Sequence, residues 1–228
     1  MDLKIKKTKL ETDSVSSYIF EKPKDLPAGR QGFSFYPGQY LDVKLPVRDK
    51  NGDTRAFTIS SSPTEDFLMI TTKIRISKFK KHLSTLKPGD TVSTSHPAGT
   101  FILDETEPAV FIAGGIGITP FRSIIKYAVD KKLTTPITLI YSNSDNNFLF
   151  KKELEEWQQV YSQLKTFYHN SSLNGSLDLT QTSAIADLNV NAIYYLAGPP
   201  KMVDDFEKML KDLGVDETNI RYDRFDGY

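Results

Sequence analysis

Two patterns of apolar and polar positions divide the sequence near residue 105. Up to about Leu103, short runs rich in Val, Ile, Thr, Phe and Tyr alternate partly between apolar and polar residues, and turn signals such as Asn51-Gly52 separate them. Partial alternation is typical of strands with one buried face. We therefore predict an all-β domain, a sandwich or a barrel, over residues 1–105, with a short helix near 78–86. Residues 26–32 fit a loop to which we assign no function.

After Pro108 the apolar runs become nearly continuous, as in strands that are buried on both faces. Such runs occur at residues 109–113, 137–141 and 192–196, and a helical stretch follows each of them. In the first helix, the apolar residues at 121, 124, 125 and 128 have the spacing of one buried face. This alternation predicts an α/β domain with a parallel sheet over residues 106–228.

Composition and charge exclude several classes of protein. The 228 residues suffice for two domains, and 29 basic residues balance 29 acidic ones, so neither nucleic acid nor an anionic membrane is an expected partner. The longest apolar run, residues 109–118, is shorter than the ~20 residues that cross a bilayer. The N-terminus lacks a secretory pattern, so we expect a cytoplasmic protein. Because the sequence has no cysteine, any thiolate-bound iron–sulfur cluster would belong to another chain.

A glycine-rich segment joins the first buried strand of the second half to its helix. It runs from Ala113 to Pro120, and we predict that Thr119 caps the helix and that Pro120 takes its first position. Glycines allow a close approach of the backbone to a ligand, and the start of a helix attracts phosphate. The segment therefore predicts a dinucleotide site. Because Pro120 replaces the third glycine of G-x-G-x-x-G, a turn without a ligand fits the segment by itself equally well.

In the first half, the segment from Arg55 to Ser62 combines an arginine, an aromatic residue and several hydroxyls. Arg55 can pair with a phosphate, Phe57 can stack on a ring and Thr58 can donate a hydrogen bond. The alternative is an ordinary strand with a core aromatic and a solvated arginine. For these residues in isolation we favour that alternative.

Taken in order along the chain, these motifs resemble the ferredoxin–NADP reductase-like superfamily, which includes flavin reductases, flavohaemoglobin reductase domains and reductase components of oxygenases. The flavin motif R-x-[YF]-[ST]-x-x-S matches Arg55 to Ser61, and the nucleotide loop G-G-x-G-[IL]-[TA]-P matches Gly114 to Pro120. The other matches are Pro37 to Tyr40 for P-G-Q-[YF], Leu86 to Asp90 for L-x-x-G-D, His96 to Phe101 for G-P-x-G-x-F, Ala197 to Met202 for C-G-P-x-x-M, and Asp223 to Phe225 for a terminal acid-x-aromatic segment. The resemblance covers nearly the whole chain.

The resemblance implies an antiparallel Greek-key β-barrel that binds flavin, FAD in preference to FMN, followed by an α/β domain that binds NAD(P). A hydride would pass from the nicotinamide to the flavin, and the protein would supply positioning rather than acid–base chemistry or a metal. Thr58 and Thr119 would flank the reacting rings, and Phe225 or Tyr228 would cover the flavin.

The resemblance also implies two sets of binding residues. The implied flavin contacts are Arg55, Ala56, Phe57, Thr58, Ser60, Ser61, Thr72, Lys73, Ile74, Phe79, Lys80 and Lys81. The implied nucleotide contacts are Gly114, Gly115, Ile116, Gly117, Thr119, Pro120, Tyr141, Ser142, Asn143, Gly198, Pro199, Pro200 and Met202.

Three departures from the family pattern affect these expectations. The segment from Ser77 to Lys80 replaces the phosphate-binding G-x-x-S, so backbone N–H groups with Lys80 or Lys81 would hold the phosphate instead. Ala197 replaces a cysteine that lies beside the nicotinamide in many members, which removes any thiol role. His96 replaces a glycine, and we interpret it as a loop residue.

The segment from Tyr141 to Asp145 bears on the choice of nucleotide. It contains no arginine or lysine for a 2′-phosphate, and Asp145 would repel one, so we expect NADH rather than NADPH. Lys151 and Lys152 follow nearby, but they fit a solvated helix face.

The expected function is a monomeric reductase that passes electrons from NAD(P)H through bound FAD to a separate acceptor, either a protein or free flavin. Two alternatives stay open. One is a free-flavin reductase that uses flavin as a dissociable substrate, and the other is an electron-transfer subunit of a larger complex.

Overall fold

The computed structural model describes residues 1–23, 33–75, 77–177 and 191–225. The chain divides into two compact units, Met1–Ile102 and Leu103–Tyr228. The loop expected at residues 26–32 and the predicted flavin-covering residue Tyr228 lie outside the described residues.

An antiparallel sheet with the strand order β4-β3-β6-β1-β2-β5 builds the first unit. A bridge between Ile59, just after β4, and Ile70 in β5 joins the two ends of this order, so the sheet closes on itself. The predicted all-β domain is confirmed in its barrel form. Its elements are β1 (Asp2–Thr12), β2 (Val15–Glu21), β3 (Tyr40–Lys44), β4 (Thr54–Thr58), β5 (Phe67–Lys73), α1 (Lys78–Thr85) and β6 (Thr91–Thr94).

Helix α1 packs on the barrel through two apolar residues one turn apart. Phe79 and Leu83 are fully buried in the same core cluster as Ile59 and Ile70. Burial of each such side chain stabilises the fold by about 1.5–3 kcal/mol. Ser77 caps the helix, because its hydroxyl accepts a hydrogen bond from the backbone N–H of Lys80 (3.2 Å). A short helix therefore forms where the sequence predicts one, and it carries Lys80 to the barrel.

A parallel sheet with the order β11-β10-β7-β8-β9 builds the second unit, as predicted. Among the described residues no helix is long and apolar enough to span a membrane. The elements are β7 (Ala109–Gly114), a 3₁₀ turn (Gly115–Gly117), α2 (Ile118–Lys131), β8 (Ile137–Asn143), α3 (Lys151–Val160), β9 (Leu164–Asn170), α4 (Ser171–Asn174), β10 (Ile193–Gly198), α5 (Pro200–Asp212), a second 3₁₀ turn (Glu217–Asn219) and β11 (Ile220–Arg224).

The path of the chain through this sheet creates a topological switch point. From β7 the chain proceeds to β8 and β9 on one side, and it then returns to β10 and β11 on the other side. The carboxyl ends of β7 and β10, at Gly114 and Gly198, therefore lead their connections in opposite directions. In open α/β sheets, ligands bind in the crevice at such a point.

Helix α2 buries the predicted apolar stripe against the sheet. Phe121, Ile124, Ile125 and Ala128 are fully buried. The rings of Phe111 in β7 and Phe121 stack with their centroids 4.6 Å apart, which fixes the start of the helix against the end of its strand.

A partly buried ion pair joins α2 to α3. Arg122 Nε and Nη2 lie 2.9 and 2.7 Å from Glu153 Oε2, and the guanidinium also lies over the rings of Phe150 and Trp157. The side chain of Arg122 is only 5% exposed, whereas that of Glu153 is 34% exposed.

We expect the Glu153→Gln variant to lower the free energy of unfolding by about 2 kcal/mol, because it removes the carboxylate from a buried guanidinium. The matched control is Glu156→Gln on the same helix, whose partner Lys152 lies 3.9 Å away with both side chains exposed. That change should stay within about 0.5 kcal/mol. Urea unfolding of both variants measures the difference, and equal losses would contradict this account of the pair.

Candidate functional site

Three separate sequence motifs of the first unit meet at strand β3. Gln39 accepts a backbone hydrogen bond from Ile59 (2.9 Å), and Tyr40 lies opposite Thr58 in the β3–β4 ladder. On its other side Tyr40 exchanges two backbone hydrogen bonds with Ala98 (2.9 and 3.0 Å). The proline–glycine lead, the flavin motif and the loop before Phe101 are therefore neighbours in the fold.

Most residues of the flavin motif are buried. Phe57 and Thr58 are buried, Phe57 belongs to the barrel core, and Ala56 is exposed. Ser60 donates a side-chain hydrogen bond to the carbonyl of Met69 (3.0 Å), and the Ser61 hydroxyl accepts one from the N–H of Met69 (2.9 Å). These two predicted flavin ligands thus hold the end of the motif against β5.

Lys80 is a half-buried cation beside the flavin motif. Its Nζ donates a hydrogen bond to Thr72 Oγ1 and lies 4.4 Å from the centre of the Phe57 ring. Burial above all, together with the charges of Arg55 and Arg75, lowers the pKa of Lys80 to about 7. Within the described part of the chain Lys80 forms no ion pair, so its charge is available to an anionic ligand.

The other predicted flavin residues near α1 have different surroundings. Lys81 is exposed, and its backbone N–H donates to the carbonyl of Ser77 (2.9 Å). Lys73 ends β5, and the N–H of Ile74 donates to the carbonyl of Ser14 (2.7 Å). Of the two lysines proposed for the phosphate, Lys80 is the one that the structure places beside the flavin motif.

Arg55 already has several acceptors. Its Nη1 donates to three backbone carbonyls, and its Nη2 lies 3.3 Å from Asp49 Oδ1. Asp49 belongs to none of the sequence motifs. Its position just before Asn51-Gly52 is typical of a turn, but no local pattern indicates that its carboxylate reaches Arg55 and α1.

In the second unit, the glycine loop is confirmed as the connection between β7 and α2, with two corrections. Thr119 was predicted to cap the helix, but Gly117 is the capping residue and Thr119 lies in the first helical turn, so that prediction is wrong. The reason is the 3₁₀ turn, which starts the winding at Gly115, where φ is +55°. The Thr119 hydroxyl donates to the carbonyl of Ile116 (3.0 Å), and Pro120 takes the third helical position instead of the first.

The loops that follow β7 and β10 pack directly on each other at the switch point. A Cβ atom on Gly117 would lie 2.1 Å from the carbonyl oxygen of Ala197. A Cβ atom on Gly114 would lie 2.4 Å from Met202 Sδ and 3.0 Å from Pro199 Cδ. The predicted nucleotide residues of both loops, from Gly114 to Pro120 and from Gly198 to Met202, are therefore brought together.

The residues at the end of β8 divide into core and surface. Tyr141 is fully buried and its hydroxyl accepts a hydrogen bond from the N–H of Leu149 (3.3 Å), so it acts in packing. Ser142 and Asn143 are partly exposed, and Asn143 Nδ2 donates to Asp145 Oδ1 (2.9 Å).

Hydrogen bonds from the start of helix α4 and its capping residue hold the loop after β8 in place. Asn170 Nδ2 donates to Asn146 Oδ1 (2.9 Å), and Ser172 Oγ donates to the carbonyl of Ser144 (2.5 Å). No sequence pattern indicates these residues, because β9 is a polar edge strand without a continuous apolar run.

The terminal acid-x-aromatic segment lies beside the second glycine loop. Asp223 is opposite Ala197 in the β10–β11 ladder, and the N–H of Phe225 donates to the carbonyl of Gly198 (3.0 Å). Burial raises the pKa of Asp223 to about 6. Phe225 is thus held at the carboxyl edge of the sheet.

The chemistry of both residue sets fits the groups that the resemblance implies. Lys80 lies beside the Phe57 ring and the Thr72 hydroxyl, and Arg55 lies over the Phe79 ring. Two cations with neighbouring aromatic rings suit a phosphorylated ring compound. The closely packed glycine loops lead into the start of α2, which suits a dinucleotide. Among the described residues there is no cluster of three or more metal-ligating side chains.

Two family models match the two units of this chain. The oxidoreductase FAD-binding domain matches residues 2–102, and the oxidoreductase NAD-binding domain matches residues 111–208.

Curated relatives align with most of the chain. Flavohemoprotein A of Dictyostelium discoideum is 27% identical over 94% of this chain. The toluate 1,2-dioxygenase electron transfer component of Pseudomonas putida is 28% identical over 84% of it. The aligned region spans 57% of the first relative and 59% of the second.

Solved structures share the fold of the complete chain. The flavohem-like FAD/NAD-binding domain of nitric oxide dioxygenase from Vibrio cholerae O1 biovar El Tor has a TM-score of 0.78 and 22% identity, and 98% of each chain is covered. A ferredoxin–NADP⁺ reductase from Neisseria gonorrhoeae has a TM-score of 0.79 and 17% identity, with the same coverage. The two family matches together show that the chain belongs to the FAD- and NAD-binding oxidoreductases, and its fold is that of the ferredoxin–NADP reductase-like superfamily.

Proposed function

We propose that the protein is an NADH-dependent flavoprotein reductase, in which FAD receives a hydride from NADH and electrons leave to a separate acceptor. The observation that carries this proposal is the presence in one chain of an FAD-binding unit and of an NAD-binding unit whose glycine loops flank a topological switch point. When bound, FAD supplies the redox chemistry, accepting two electrons as a hydride and releasing them to the acceptor.

In the first unit, Lys80 and Arg55 hold the phosphate of the flavin, and Phe57 and Thr72 line the same place. Lys80 contacts both Phe57 and Thr72, so one side chain links the motif on β4 to the end of β5. Thr58, next in the motif, supplies a hydroxyl to the flavin ring. Ala56, Lys73, Ile74, Phe79 and Lys81 complete the surroundings, and Ser60 and Ser61 fix the strand that carries the motif.

In the second unit, backbone N–H groups of the loop from Gly114 to Pro120 bind the pyrophosphate of the nucleotide at the start of α2. The segment from Gly198 to Met202 forms the other wall at the switch point. Thr119 flanks the nicotinamide, because its hydroxyl donates to Ile116 and keeps its lone pairs for a ligand.

We propose NADH as the preferred donor. The exposed loop after β8 presents Asp145, and the nearby lysines lie on α3 with a glutamate one turn further along: Lys151 is 3.7 Å from Glu155, and Lys152 is 3.9 Å from Glu156. A 2′-phosphate would therefore meet a negative charge without a dedicated cation.

We expect the Ser144→Arg variant to lower the KM for NADPH about tenfold while changing the KM for NADH little, because it places a guanidinium on this loop. The Ser144 side chain is exposed, and its backbone carbonyl, which binds Ser172, is retained. Steady-state kinetics with both nucleotides measures the shift. Ser144→Gln is the uncharged control, and an equal gain for NADPH in that variant would contradict the proposed charge effect.

A free-flavin reductase is the second candidate function. The observation that favours it is the ion pair between Arg55 and Asp49, which engages a predicted phosphate ligand with an internal carboxylate. A bound flavin whose phosphate competes with this carboxylate for Arg55 exchanges more readily with free flavin.

Equilibrium dialysis against FAD, FMN and riboflavin, followed by NADH oxidation with ferricyanide as acceptor, tests the proposal. The reductase account predicts tight FAD binding, and ferricyanide reduction that depends on the retained FAD. Weak binding of all three flavins, with turnover proportional to added free flavin, would support the second candidate. A protein that binds none of them would contradict both.

A further inference from the structure

Asp49 is a buried carboxylate in the connection between β3 and β4. Its side chain is 3% exposed. Oδ2 accepts a hydrogen bond from the N–H of Phe79 (2.9 Å), while Oδ1 accepts one from the N–H of Asn51 (3.2 Å) and lies 3.3 Å from Arg55 Nη2. Both oxygens of the carboxylate are thus engaged.

The partners of Asp49 are groups that would otherwise recognise a phosphate. Phe79 is in the first turn of α1, where backbone N–H groups and the helix dipole favour an anion. Arg55 is the cation of the flavin motif and also lies over the Phe79 ring, 5.1 Å from its centre. Hydrogen bonds from the backbone of Phe79 and Asn51, together with the charge of Arg55, hold the pKa of Asp49 below its usual value. The carboxylate therefore stays ionised at neutral pH.

We propose that Asp49 is an internal competitor of the flavin phosphate for Arg55 and the start of α1, and that it determines how tightly phosphorylated flavins are held. This inference rests on the proposed flavin site. A carboxylate and a phosphate cannot share the same donors without repelling each other. Binding of FAD or FMN therefore moves the carboxylate away from Arg55 and Phe79, whereas Lys80 has no ion pair to break within the described residues.

Because of this competition, the site discriminates between flavins with and without a phosphate. FAD and FMN must displace Asp49, so part of their binding free energy is lost. Riboflavin has no phosphate and does not compete. The opposite role is also testable, because a carboxylate that only positions Arg55 for the phosphate would strengthen FAD binding.

The decisive variant is Asp49→Asn, which keeps the size and one oxygen acceptor but removes the charge. We expect the Kd of FAD and FMN to fall about tenfold and the Kd of riboflavin to stay unchanged. The matched control is Asp53→Asn in the same connection, whose partner is the exposed Lys44 (3.5 Å), and it should leave all three Kd values unchanged. Fluorescence titration of the full chain gives the values.

A weaker affinity of Asp49→Asn for FAD, or an equal gain for riboflavin, would overturn the inference. A wild-type chain that binds no flavin would instead overturn the proposed function itself. If the variant does not fold, NMR of the wild-type chain decides. The amide signal of Phe79 should shift with FAD or FMN but not with riboflavin, and a Phe79 amide that does not respond to FAD would overturn the inference.

Discussion

Replacement of Gly117 by alanine is expected to abolish NADH-dependent reduction. The added Cβ would lie 2.1 Å from the carbonyl oxygen and 2.5 Å from the carbonyl carbon of Ala197, and both are backbone atoms of the buried strand β10. Because that strand cannot rotate away as a side chain can, the two loops at the switch point must separate. Overpacking of this kind costs about 3 kcal/mol. Flavin binding should persist, because the residues proposed to bind it, from Arg55 to Lys81, lie in the other unit, Met1–Ile102.

The matched control is Gly114→Ala in the same loop. Its added Cβ would meet Met202 Sδ at 2.4 Å and Met202 Cε at 2.9 Å, which are the far end of a flexible side chain, and it would touch Pro199 Cδ at 3.0 Å without meeting a backbone carbonyl. We expect a loss of about 1 kcal/mol in the free energy of unfolding and partial activity. Thermal unfolding and NADH turnover of the two variants measure the contrast. If Gly117→Ala matched the wild type in both, the packing of the two loops would not be the basis of the nucleotide site.

The second large effect that we expect is a pH dependence of FAD affinity, which Lys80 would cause. The pKa of Lys80 is about 7 in the free protein, lowered first by burial and then by Arg55 and Arg75, and an adjacent phosphate raises it. Below pH 7 Lys80 is protonated with or without FAD, so it adds no pH dependence. Above pH 7 the free protein loses this proton and FAD binding must take one up. The affinity therefore falls as pH rises, by up to about tenfold per pH unit.

Calorimetric titration in buffers of different ionisation enthalpy measures the proton uptake, which should approach one proton per FAD at about pH 8. Lys80→Arg should bind FAD without this pH dependence, because arginine stays charged. Lys80→Met should bind FAD about 10- to 100-fold more weakly at pH 6. FAD affinity that is constant from about pH 6 to pH 9 in the wild type, or equal in Lys80→Met, would show that Lys80 does not hold the phosphate.

The sequence predicts the fold where burial imposes a local period. Strands β7, β8 and β10 lie in the middle of the parallel sheet and carry continuous apolar runs, so they could be predicted. The edge strands β9 and β11 contain polar residues such as Lys165 and Arg221, and no pattern distinguishes them from loops. The start of α2 was misplaced because a 3₁₀ turn has no sequence signal separate from that of the helix.

The candidate site could be predicted only as far as its motifs are local. The sequence suggested either a core aromatic or a flavin contact at Phe57, and the structure shows that Phe57 belongs to the barrel core and also contacts Lys80. The interaction of Asp49 with Arg55 and Phe79 depends on how the β3–β4 connection folds back on α1. Such a contact between distant segments leaves no periodic trace in the sequence.

Hydride transfer from NADH to FAD is tested most directly by an anaerobic titration of the FAD-loaded protein with NADH, monitored by absorption spectroscopy. We expect a stoichiometric amount of NADH to bleach the visible flavin band, and NADPH to do so much more slowly. The band should return when ferricyanide is added. A flavin band that NADH leaves unchanged, in a protein shown to bind both FAD and NADH, would contradict hydride transfer between them.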